Sequence, residues 1–142
     1  MHATNFSVRA GIYFVLAGVQ LDMHNDYDFT GFSYDVPARS LLLTWQRGSG
    51  KWVTLDQPGV VILEIREVAS LEVRPRSAGV PFTEDNCLND VSYLADEAWG
   101  RTAFQAAGEP DEAWRWCFGF MSGASIVVAA KSAMLRLGPP TG

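Results

Sequence analysis

Residues 114–121 read WRWCFGFM, and their alternation decides the fold. Trp114, Trp116, Phe118 and Phe120 occupy one phase, and Arg115, Cys117, Gly119 and Met121 the other. A period of two marks a strand, whose successive side chains point to opposite faces. Four aromatic rings on one face predict a wall of the core. Ser122–Gly123 is the turn that follows. Ala124–Ala130 then reads as the return strand, and Ala133–Leu137 as a last strand after a bulge near Lys131–Ser132.

The same pattern recurs upstream. Leu41, Leu43 and Trp45 share one phase, so 40–46 is a strand. Gln46–Lys51 reads as a hairpin loop, because glycine supplies positive φ without steric cost. A short partner strand is expected over Trp52–Asp56, with Val53 and Leu55 inward. Pro58–Gly59 suits a turn. Val60–Arg66 is rich in β-branched residues. After a break near Ala69–Ser70, Leu71 and Val73 alternate with Glu72 and Arg74 up to Pro75, which ends the strand. The apolar run Ala10–Val19 is too short for a membrane span, which needs about 20 residues. It reads as a buried strand or short helix.

Between Arg76–Asn89, read as a loop, and Trp114 the period changes. Val91, Leu94, Ala95, Ala98, Trp99, Thr102 and Ala106 recur at helical spacing. Asn89 or Asp90 can cap the start and Gly108 can end it. The expected fold is therefore α+β and strand-rich. It has antiparallel meander sheets or a partly open barrel, with about one helix near 90–107 inserted between two β sections. Residues 1–138 form one domain, and 139–142 are a frayed C-terminal tail.

Composition narrows the function. The 142 residues carry a net charge of −5, with 48% hydrophobic and 19% charged residues. The hydrophobic share supports a buried core. The acidic balance argues against nucleic-acid binding, which needs a basic surface. No membrane association is expected. Cys87 and Cys117 are too few for a disulfide scaffold, and two thiols in a reducing cytoplasm is the expectation.

Three constellations bear on chemistry. If Leu21–Asp28 is extended, Asp22, His24, Asp26 and Asp28 project from one face and could hold a divalent cation. The favoured alternative is a solvated turn, because a calcium loop needs Gly and Glu where Tyr27 and Ser33 stand. Gly48-Ser49-Gly50-Lys51 lacks the earlier glycine and the following Ser or Thr of a phosphate loop, so it is read as a turn. Arg66, Arg74 and Arg76 could bind an anion, although pairing with Glu64 and Glu72 across the sheet is the simpler expectation. A nucleophile–base pair of Cys87 and His24 is open to the sequence, since such pairs meet in space. No Gly-x-Ser-x-Gly elbow is present. No catalytic residue, metal ligand or cofactor is assigned.

The stretches Tyr27–Asp35, LLLTW (41–45), VVILEIREVASLEV (60–73) and WCFGFMSGASIVVAA (116–130) together resemble a group of small bacterial proteins. Immunity proteins of polymorphic-toxin systems are among them. The resemblance covers about Tyr27–Val73 and Trp114–Leu137, and it rests on β patterning and on the ending Val68-x-x-Leu71-x-Val73. It implies one α+β domain that binds a protein partner and has no catalytic site. No functional residue is carried over, because the matching positions read as core.

The first functional expectation is a non-enzymatic interaction module whose acidic surface steers a basic protein partner. One alternative is a small apolar-ligand carrier lined by Trp114, Trp116, Phe118 and Phe120. The other is a metal-dependent enzyme using Asp22, His24, Asp26 and Asp28. Homodimerisation through a strand edge is compatible with all three.

Overall fold

The computed structural model describes residues 1–95, 103–106 and 108–139. Ten strands are described: β1 (His2–Ala3), β2 (Ser7–Arg9), β3 (Tyr13–Leu16), β4 (Val19–Asp22), β5 (Tyr27–Asp35), β6 (Ser40–Arg47), β7 (Val60–Arg74), β8 (Leu88–Leu94), β9 (Arg115–Phe120) and β10 (Ser125–Leu137). Among the described residues, the main sheet runs β5-β6-β7-β10-β9-β8 and curls into a half-barrel. β1 joins β10 in parallel at Ser132 and Ala133, beyond the residues of β10 that pair with β9. Two meanders, β5-β6-β7 and β8-β9-β10, are thus fused along the antiparallel pair of their longest strands, β7 and β10.

The fusion follows from side-chain phase. Leu43 lies opposite Leu63, and Leu63 opposite Leu135; Leu41 and Ile65 continue the same face. All of these are buried. Fully burying such a side chain is worth roughly 1.5–3 kcal/mol, and a one-residue slip would turn every one of them outward. On β9, Trp116, Phe118 and Phe120 face the same core, as the alternation predicts, while Trp114 is half-buried.

A smaller sheet, β2-β3-β4, closes the concave side. Phe14 meets Trp45 edge-on at 5.8 Å, and Phe6 meets Trp116 at 6.1 Å. At the β2–β3 turn, Gly11 sits at φ +72° and its carbonyl accepts the Val91 N–H at 2.6 Å, which ties the small sheet to β8. A Cβ at Gly11 would come within 2.7 Å of the Gln105 amide, the movable end of a flexible side chain, so it is the positive φ that calls for glycine here. The apolar run near the N-terminus is therefore a hairpin.

Several expectations are corrected. Asp90–Leu94, placed at the start of a helix, is the body of β8. Val91 and Tyr93 pair with Phe118 and Trp116 on the core side, while Leu94 packs outside with Cys117, Val127 and Ala103. Tyr93 and Leu94 are buried on opposite faces of β8, so the alternation fails at its end and the three-residue step from Val91 to Leu94 mimics helical spacing. Phe104 lies antiparallel to Tyr93 as an isolated bridge; residues 96–102 and 107 of the expected helix lie outside the described residues. The only helical segment among the described residues is a 3₁₀ turn, Phe82–Asn86.

Trp52–Asp56 is not a strand. β6 pairs instead with Val60–Ile65 of β7, and Leu55 is exposed. The break near Ala69 is a bulge within one continuous strand: Ala129 faces Ser70 and Ala130 faces Val68. β10 is likewise unbroken to Leu137, because the irregularity belongs to β7 and not to Lys131–Ser132. Pro139, assigned to the tail, accepts the Gly59 N–H at 3.1 Å.

Candidate functional site

The β4–β5 turn collects the sequence candidates but does not aim them together. Asp22 Oδ1 accepts the backbone N–H groups of His24 (3.1 Å) and Asn25 (2.9 Å), and its Oδ2 accepts the Asn25 amide at 2.9 Å. This is an Asx turn, the short-range bond aspartate makes where the chain reverses. Asp26 Oδ2 accepts the Gln57 amide at 3.1 Å. Asp28 stands exposed on β5 beyond the buried Tyr27. The turn breaks the period of two, so the expected one-face array of Asp22, His24, Asp26 and Asp28 is not formed. Among the described residues, no three His, Cys, Asp or Glu side chains are arranged to hold a metal ion.

His24 does meet Cys87, with Sγ 3.6 Å from Nδ1. Nδ1 is also 2.6 Å from the Leu88 carbonyl oxygen. A carbonyl only accepts, so Nδ1 carries the proton and donates it there. It therefore has no lone pair to draw the thiol proton. Burial raises the Cys87 thiol above its ordinary range, and the carboxylates of Glu84, Asp28 and Asp22 raise it further. These are the opposite of the surroundings that generate a reactive thiolate. Cys117 is buried and, like Cys87, forms no disulfide.

The same corner holds a feature the sequence reading missed. Trp52 is 70% exposed in the β6–β7 connection, and Leu55 beside it is 69% exposed. The Trp52 indole N–H donates to the Asn25 carbonyl at 3.0 Å. Arg47 Nη1 donates to the carbonyls of Leu55 and Gln57, each at 2.9 Å, and Gly48 N–H donates to the Asp26 carbonyl at 2.8 Å. The connection is thus fastened to the acidic turn, with its tryptophan displayed. The sequence signal was two large apolar side chains in a Gly-, Asp- and Pro-rich stretch.

Two clefts flank the core. One, of about 580 Å³, lies between the β1–β3 segment and Tyr93, Ala106, Glu112 and Trp116. The other, of about 400 Å³, opens at the half-barrel mouth between Phe29, Phe32, Val73, Phe120 and Ile126, with Arg76 on its wall. Trp116 borders the first and Phe120 the second, so the aromatic ladder does not enclose one cavity as an apolar carrier would require.

Arg66 and Arg74 take the expected glutamates, but not across the sheet. Arg66 pairs with Glu64 (3.0 Å) and Arg74 with Glu72 (3.1 Å) along their own strand, and the cross-strand contact to Glu64 comes from Arg136 at 3.4 Å. Arg76 reaches Asp85 at 3.0 Å. No helix among the described residues is long and apolar enough to cross a membrane. No family model, curated protein or solved structure matches the chain.

Proposed function

We propose that the protein is a non-enzymatic interaction module that binds a basic protein partner through the corner formed by Trp52 and the Asp22–Asp28 turn. The observation that carries this reading is the exposure of Trp52 while its indole N–H is held on the Asn25 carbonyl. A large ring that is displayed yet already ordered loses little freedom on binding, and tryptophan is enriched among the residues that dominate interfaces. Asp22 accepts from Asn25, Asp26 and Asp28 follow it in the chain, and the net charge of −5 has the same sign. Such a field speeds encounter with a cationic surface and rejects acidic ones. The likeness to immunity proteins of polymorphic-toxin systems supports a basic toxin, such as a nuclease, as the partner.

The test is capture from the producing cell at low and high salt, using the wild type, Trp52→Ala and an Asp26→Asn/Asp28→Asn double variant. A cationic protein retained at low salt, lost at least tenfold with Trp52→Ala and weakened by the double variant, supports the reading. Capture of nothing under either condition, or capture indifferent to both variants, overturns it.

A further inference from the structure

The small sheet covers only part of the concave face, and none of its residues borders the cleft at the half-barrel mouth. Two side chains of the core face are left in water there. Phe32 of β5 lies opposite Leu43, and Val73 of β7 lies opposite Ile126. Residues directly opposite in an antiparallel pair share a face, and Leu43 and Ile126 are buried in the main core. Phe32 and Val73 therefore point to the concave side, yet they are 45% and 54% exposed. Both border the mouth cleft.

The cleft decides what can cover them. Its volume of about 400 Å³ lies in the range of small-molecule sites. Its walls are apolar over most of their surface. Phe29 and Ala124 are half-buried, so with Phe32 and Val73 they offer surface that a ligand can reach. Of the aromatic ladder only Phe120 borders it, so the site belongs to β5, β7 and the start of β10. The charged groups on its wall are already paired: Arg74 with Glu72 at 3.1 Å, and Arg76 with Asp85 at 3.0 Å. A charged ligand would have to break one of these pairs or be buried unpaired, and either is costly.

We propose that the mouth cleft binds a small, uncharged, largely hydrocarbon molecule, packed against Phe29 and Phe32 of β5, Val73 of β7 and Ala124 just before β10. None of these residues belongs to the Trp52 corner, and either site can fail alone.

Three eight-carbon probes test it by ligand-observed NMR: 1-octanol, octanoate and octylammonium. The wild type binds 1-octanol at one saturable site with a Kd of about 1 mM or below, and each charged probe at least roughly tenfold more weakly. Phe32→Ser/Val73→Ser removes two reachable walls and weakens 1-octanol at least roughly tenfold. Ala124→Trp grows into the cleft and abolishes binding. The serine substitutions fall on side chains already about half in water, so they keep the test decisive if Ala124→Trp fails to fold. Absence of 1-octanol binding to the wild type, a charged probe that binds equally well, affinity unchanged in the double variant, or binding that survives Ala124→Trp in a folded protein overturns the proposal. So does a wild-type dimer that the double variant dissociates, since a second copy would then be the occupant.

Discussion

Phe29 of β5 and Phe120 of β9 pack with ring centroids 4.7 Å apart, although no hydrogen bond of the sheet joins their strands. The sheet has curled far enough for the two meanders to touch across its concave face. Phe120 is buried while Phe29 is half-buried at the rim. Phe120→Ala is expected to cost about 3–5 kcal/mol and Phe29→Ala less, since part of its ring is already wet. A double-mutant cycle in urea should return a coupling of roughly 0.5–1.5 kcal/mol. Additive losses would mean that the rings contribute only separate burial and do not hold the curl.

Arg76 latches the connection that leads into β8. Its Nε donates to both oxygens of Asp85 (3.0 and 3.2 Å), its Nη2 to the carbonyls of Val80 (2.6 Å) and Pro81 (3.0 Å), and its guanidinium lies 4.6 Å over the Phe82 ring. Hydrogen bonds from Ser122 and then Arg76 hold the Asp85 carboxyl below its ordinary value of 3.8. Because the folded value is the lower one, this contribution is full above 3.8 and is lost as pH falls through the folded value. Hydrogen exchange should show the Ser77 and Glu84 amides opening faster in Arg76→Ala, and faster in the wild type at pH 2.5 than at pH 5 after correction for intrinsic rates. Unchanged protection in both comparisons would assign the loop's order to other contacts.

How far the fold can be read from the chain depends on how many faces each strand shows to water. β6 and the first half of β7 bury one face, and the outer phase of β9 carries only Arg115, Cys117 and Gly119, so Leu41, Leu43 and Trp45, then Val61, Leu63 and Ile65, then Trp116, Phe118 and Phe120 stand out at period two. β8 hides Tyr93 on one side and Leu94 on the other, which erases the alternation. β1 is two residues long and is recruited by β10 alone. At the proposed partner corner, the turn at Asp22 was legible because aspartate bonds its own backbone locally. The display of Trp52 was not, because it depends on β6 pairing with β7 and leaving the intervening residues outside the sheet. The Trp116 cleft was equally illegible, being made where separate segments fail to fill the space between two sheets.

Two buried tyrosines set the alkaline limit of stability. Burial raises Tyr27 from 10.0 to about 12, helped by the neighbouring Asp26 charge, and burial alone raises Tyr93 from 10.0 to about 12. The unfolded chain gives up these protons near pH 10 while the folded protein keeps them. Their ionisation therefore leaves stability unchanged below 10 and lowers it between about 10 and 12. Urea unfolding at pH 8, 10 and 11 should show this decline, made shallower by Tyr27→Phe or Tyr93→Phe. At pH 8, Tyr27→Phe should itself cost about 1 kcal/mol, because its hydroxyl donates to the Pro58 carbonyl at 2.9 Å. An equally steep decline in both variants would place the sensitivity elsewhere.

Cys87 offers a direct check on whether its contact with His24 is chemical or structural. A Cys117→Ala background isolates it. With the thiol raised by burial and by Glu84, Asp28 and Asp22, and with His24 Nδ1 donating to Leu88, Cys87 should react with a disulfide reagent at pH 7.5 at least about tenfold more slowly than a cysteine in a short peptide. The rate should climb as pH passes the ordinary thiol range. His24→Ala should leave the rate unchanged or increase it, since the imidazole shields the sulfur without taking its proton. The variant also removes the donor to the Leu88 carbonyl, so a loss of about 1 kcal/mol in stability should accompany it. A fast wild-type reaction that falls tenfold in His24→Ala would show the imidazole acting as a base, and would return the pair to the candidates for catalysis.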